Sequence, residues 1–180
     1  YDCDYSNAEV LLTRMSVRGG RIVLPDGMNY RLLVLQNCTS TSPEICQQVG
    51  NYQRLSVSPI PSKAMSVEVI TKIRDLIQQG ATVVGSPPDK SAGLKNYPES
   101  DEQVRKIAAE IWGDLDGKIR TEREFGKGRV IWGKTPREIL LAGGVQPDFT
   151  FTGQNENPEQ FDYIHRTSGD TEIYFVINRT

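Results

Sequence analysis

The chain has 180 residues, enough for one domain with a core of its own. Hydrophobic residues make up 37% and charged residues 24%, the balance of an ordinary globular unit. A net charge of −2 supplies no electrostatic footprint for nucleic acid or an anionic membrane, and no apolar run approaches the roughly 20 residues that span a bilayer.

In chain order, "SNAEVLLTRM" predicts a short helix, and "MSVRGGRIVLP" two short strands about Gly19-Gly20, a hairpin signal. "YRLLVLQ" is a near-continuous apolar run, which predicts a strand covered on both faces. The mixed stretch from Asn37 to Lys63 holds a short helix from Pro43 and then a surface excursion. "SVEVITKIRDLIQQG" predicts a helix capped by Ser66 and ended by Gly80, with Ile70, Ile73, Leu76 and Ile77 on one face. "ATVVG" is the next buried strand, and "SPPDKSAGLKNYP" a loop rich in breakers. "SDEQVRKIAAEIWG" is the best-patterned helix; Ser100 and Gln103 have capping-box spacing. "IRTEREFGKGRVIWG" predicts two strands around Gly126-Lys127-Gly128, "TPREILLAGG" a last helix, and "PDFTFTG" an extended segment. "FDYIHRTSGDTEIYFVIN" predicts two strands around the turn Ser168-Gly169-Asp170. The middle thus alternates strand and helix, which implies a flavodoxin-like three-layer α/β/α domain with a mostly parallel sheet and β-rich ends.

"GRVIWGKT", Gly128 to Thr135, has the spacing of a phosphate loop. Its four variable residues are Arg129, Val130, Ile131 and Trp132, two of them β-branched and one a bulky aromatic, which favour a strand over a bend around phosphate. Pro136 after Thr135, and Glu138 three residues beyond it, make a helix start with a capping box. The stretch is read as a strand and a helix cap, not a nucleotide site.

Thr39, Ser40, Thr41 and Ser42 offer hydroxyls after a buried strand, where flavodoxins hold FMN phosphate; the plainer reading is a helix capped by Ser42 with Pro43 first. Cys38 lies at the same edge, and with His165, the sole histidine, would make a Cys–His amidohydrolase; no glycine-flanked nucleophile elbow surrounds it. Cys38 and Cys46 would bridge a short loop in an exported protein, leaving Cys3 over; three unpaired thiols is the simpler reading. The aspartates of "DCD" and "GDLDGK" lack the further ligands of a calcium loop, and Asp116-Gly117 reads as a turn. Asn37 and Asn178 head glycosylation sequons that matter only in a eukaryotic secretory route. No catalytic, cofactor-binding or metal-binding residue is assigned.

Tyr1 is not an initiating Met, and the last residues form a strand-like run, so a piece of a longer protein is expected. In order along the chain, "NAEVLLTRMSVRGGRIVLPDGMNYRLLVL", "IRDLIQQGATVVGSPP", "YPESDEQVRKIAAEIWGDLDG", "FGKGRVIWG", "QPDFTF" and "FDYIHRTSGDTEIYFVINRT" resemble segments of glycoside hydrolase family 106, the α-L-rhamnosidases and their relatives. Residues 36–63 match poorly and look like an insertion.

The resemblance implies a far longer parent, whose catalytic carboxylates and calcium sit on a (β/α)₈ barrel preceding this region. It implies that residues 1–160 are the glutamine-amidotransferase-like accessory domain after the barrel, without the amidotransferase machinery. Residues 161–180 then lead into a β-sandwich. Barrel and sandwich become the partners, with contact between copies also in view, and the setting is periplasmic or cell-surface. Tyr163 to Arg166 matches a family signature to which no role is carried over.

Overall fold

The computed structural model describes residues 3–35, 64–150 and 161–178. The protein is mixed α/β, with helices interleaved among three small sheets. Helix α1 (Ala8–Thr13) starts where the Asn7 side chain accepts the Val10 N–H at 3.0 Å. Strands β1 (Ser16–Arg18), β2 (Arg21–Val23) and β3 (Asn29–Tyr30) form an antiparallel sheet. The β1–β2 turn uses Gly19 and Gly20, both at positive φ, as the hairpin signal requires.

The central sheet joins β4 (Leu33–Val34), β5 (Thr82–Val84), β6 (Glu122–Phe125) and β7 (Gly128–Ile131) in the order β4-β5-β7-β6. β4, β5 and β7 are parallel, while β6 returns antiparallel at the edge. The register aligns Leu33, Val83 and Val130 on one face and Val34, Val84 and Ile131 on the other.

Val83 and Val130, both with 0% exposure, enter the main core with α2 (Val67–Gln79) and α3 (Glu99–Trp112). On the opposite face Val84 and Ile131 meet Ile139 of α4 (Pro136–Ala142). β8 (Phe161–Ser168) and β9 (Thr171–Asn178) form a separate antiparallel hairpin about Gly169.

Helix α2 is the hub. Ser66 caps it, and Ile70, Ile73, Leu76 and Ile77 form a buried stripe at i, i+3, i+6 and i+7. It packs against α1, α3, β1, β5 and β7. Its C-terminal end sits directly under the β6–β7 turn: Lys127 N–H donates to Gln78 O at 3.1 Å, and Arg129 N–H to Ala81 O at 3.1 Å. That approach needs glycine. A Cβ at Gly128 would lie 2.3 Å from Ala81 O and 2.4 Å from Ile77 O.

Two expectations need correction. "YRLLVLQ" does not form one strand covered on both faces: Tyr30 ends β3, Leu33–Val34 is β4, and Val34 keeps 43% exposure. Leu32 turns instead to the smaller cluster with Val84, Ile131 and Ile139. The Ser100–Gln103 capping box is also absent. α3 begins at Glu99 because the chain already turns at Asn96, whose carbonyl accepts the Ser100 N–H at 2.8 Å. Ser100 therefore lies inside the first turn, and its Oγ is buried with no hydrogen-bond partner among the described residues.

Gly128→Ala is expected to lower unfolding stability by about 1–3 kcal/mol or more, since backbone must move to admit the methyl. Gly93→Ala, with nothing within 4 Å, is the control. Urea midpoints of the two variants measure the difference, and equal midpoints would refute the close-packing argument.

Candidate functional site

Gly128 to Ile131 form β7, hydrogen-bonded on both sides by β5 and β6. Their N–H groups serve the sheet and cannot ring a phosphate. Thr135 caps α4: its Oγ1 accepts the Glu138 N–H at 3.2 Å, and Glu138 Oε2 accepts the Thr135 N–H at 2.7 Å. That N–H, followed by the Thr135 hydroxyl, holds the Glu138 carboxyl below its usual range. Lys134, the lysine of the apparent motif, pairs with Glu122 at 3.6 Å.

In open α/β sheets, ligands gather at the carboxyl ends of parallel strands. Beyond β5 that edge holds a shallow groove of about 230 Å³, lined by Pro87, Pro88, Arg105, Ala108, Trp112 and Leu115 among others. Trp112 closes its floor; the indole N–H donates to Gly85 O at 2.9 Å, which fixes the exit of β5. The groove is smaller than the roughly 300 Å³ at which ligand pockets begin. Thr39 to Ser42, Cys38 and Cys46 lie outside the described residues.

Asp116 forms a turn, as its sequence suggested. Its Oδ1 accepts the N–H groups of Lys118, Ile119 and Arg120 at 2.8, 2.8 and 3.0 Å. These bonds, Lys118's foremost, lower the Asp116 pKa. Oδ1 is therefore committed to the turn. Among the described residues no group of three or more His, Cys, Asp or Glu is arranged to hold a metal.

The densest polar cluster surrounds His165. The Ser168-Gly169-Asp170 turn sets a register in which His165 faces Tyr174 and Thr167 faces Glu172. The imidazole stacks on the Tyr174 ring, centroids 4.2 Å apart and planes 8° from parallel. Nδ1 meets Asp148 Oδ2 at 2.9 Å, and Nε2 meets Glu172 Oε2. Glu172 also accepts from Thr167 Oγ1 at 2.9 Å, and Asp148 from the Tyr174 hydroxyl at 3.3 Å. The Glu172 hydrogen bond, followed by Asp148, raises the His165 pKa; the same bond lowers that of Glu172. Burial against its neighbours, reinforced by Asp148, raises that of Tyr174.

Both imidazole nitrogens of His165 thus face a carboxylate. The hairpin register was legible before the structure, and it places Tyr174 and Glu172 beside His165. Asp148, 17 residues away, carried no such signal.

A mixed α/β module whose one histidine is fully engaged by its own carboxylates is the class of protein these features define. A family model described as alpha-L-rhamnosidase, glycoside hydrolase family 106, matches residues 1–57 and 48–180, and the chain belongs to that family. It is similar to a solved rhamnosidase from Novosphingobium sp. PP1Y, with a TM-score of 0.69 and 28% identity over 97% of this chain and 14% of that one. It is also 30% identical over 135 residues to a "Putative beta-glucuronidase" of Formosa agariphila, covering 75% of this chain and 10% of the relative. The chain thus spans a small fraction of the length of the relatives it matches.

Thr135→Ala is expected to cost about 1 kcal/mol through the lost cap. Millimolar MgATP should leave the melting temperature of both forms unchanged. A rise with MgATP that Thr135→Ala removes would restore the phosphate-loop reading.

Proposed function

We propose that this chain is a non-catalytic accessory domain of a multidomain bacterial glycoside hydrolase, whose parent cleaves α-L-rhamnosyl or related glycosidic linkages. The observation that carries the reading is the match over 97% of this chain to only 14% of a rhamnosidase. The order β4-β5-β7 of parallel strands, with α2 and α3 against one face and α4 against the other, suits a flavodoxin-like, glutamine-amidotransferase-like unit. The acid and base carboxylates of glycoside hydrolysis then lie elsewhere in the parent. The domain's work is to pack against the barrel and shape one rim of the site. The proposal includes export to the periplasm or cell surface, as the resemblance to family 106 implies.

The terminal hairpin supports a docking role. Ile164, Ile173, Phe175 and Ile177 share one of its faces and remain 47–62% exposed. A two-stranded hairpin is marginal on its own and gains stability from a further layer. The parent's β-sandwich is the proposed cover.

The isolated chain should release no product from aryl α-L-rhamnosides or aryl β-D-glucuronides above a buffer blank. Turnover that survives repurification would overturn the non-catalytic reading. The isolated chain should also self-associate weakly in sedimentation velocity. Ile173→Thr with Phe175→Ser should shift it towards monomer; a strictly monomeric unsubstituted 180-residue chain at all concentrations would contradict the docking face.

A further inference from the structure

We propose that Asp148, His165 and Glu172 form a proton-operated clasp that ties Asp148 and its neighbour Phe149 to the β8–β9 hairpin and opens when His165 loses its proton. Protonated, the imidazole carries an N–H on each nitrogen, and both donate to carboxylates, Nδ1 to Asp148 and Nε2 to Glu172. Deprotonated, it keeps one N–H, and its other nitrogen turns a lone pair towards a carboxylate. The cluster's charge falls from −1 to −2 in the same step, so one carboxylate must leave.

The geometry selects which. Glu172 belongs to the hairpin: it sits on β9 opposite Thr167, whose hydroxyl also holds it at 2.9 Å. Asp148 comes from outside the hairpin, and its other contact is the Tyr174 hydroxyl at 3.3 Å. Losing the Asp148 bond frees Asp148 from β8.

Phe149 is carried with it. Its ring lies 5.0 Å from Tyr163 and 6.2 Å from Tyr174, centroid to centroid. The clasp therefore couples a protonation state to an aromatic packing contact. The groups facing the imidazole are Asp148 from outside the hairpin, Glu172 and Tyr174 from β9, and no lysine or arginine opposes them in the contacts described. The Arg166 guanidinium instead reaches back to the His165 carbonyl at 3.3 Å.

The pH window follows from the directions. The His165 pKa is raised, so its contribution is complete below the ordinary 6.5 and lost as pH climbs through the higher folded value. The Glu172 pKa is lowered, so its contribution is complete above the ordinary 4.5 and lost as pH falls through the lower folded value. The clasp is closed between these limits.

Because the chain has one histidine, a long-range ¹H–¹⁵N spectrum of the 180-residue protein reports it without assignment by mutation. The expected result is a protonation midpoint above 6.5, with the ring protons of Phe149 and Tyr163 titrating at the same midpoint. Asp148→Asn and Glu172→Gln should each lower the midpoint, and Asp148→Asn should uncouple Phe149. A midpoint at or below 6.5 would overturn the proposal. So would a raised midpoint with pH-independent Phe149 and Tyr163 signals. Both readings come from the unaltered protein, so a variant that fails to fold leaves them intact.

Discussion

The described core hangs on one contact, the close seating of the C-terminal end of α2 beneath the β6–β7 turn. The buried stripe of Ile70, Ile73, Leu76 and Ile77 ties this helix to α1, α3 and the central sheet. The seat fixes how far the helix can slide. Gln78 and Ala81 carbonyls accept N–H groups from Lys127 and Arg129, and Gly128 leaves no room for even a methyl group. With α2 located, β5 follows from it through Gly80, and Val83 and Val130 meet the helix layer by register alone. Polar bonds set the spacing here, and burial of the stripe supplies the driving force.

Outside that core the molecule changes character. The β8–β9 hairpin keeps Phe175 and its apolar neighbours exposed, and its order depends on local polar and aromatic contacts about His165. The apolar face of the hairpin, Ile164, Ile173, Phe175 and Ile177, is the largest contrast with the buried stripe of α2. Glu172 and Asp148 each meet one imidazole nitrogen and raise the His165 pKa.

Much of this was legible in the sequence where the signal is local. The Ser66 cap, the apolar stripe of α2, the Gly19-Gly20 and Ser168-Gly169-Asp170 turns, and the Thr135–Glu138 capping box each depend on residues within one or two turns of chain. The misleading phosphate-loop spacing was resolved the same way, since Val130 and Ile131 prefer a strand. What escaped depends on tertiary context. The Tyr97-Pro98 neighbourhood turns the chain early enough to bury Ser100 within α3, and no spacing rule anticipates that. The apolar run at Tyr30 to Leu35 divides because Leu32 and Leu33 serve different clusters. Asp148 meets His165 from 17 residues away, a separation that carries no local signal.

The most direct measurement is the mass of the native polypeptide that carries this sequence. An antibody raised to the chain, used on an immunoblot of the source cells, should detect a band several times larger than 20.1 kDa. That result would place the domain inside a larger enzyme and move the search for its catalytic carboxylates beyond these residues. A single band at 20.1 kDa would contradict the embedded, non-catalytic role.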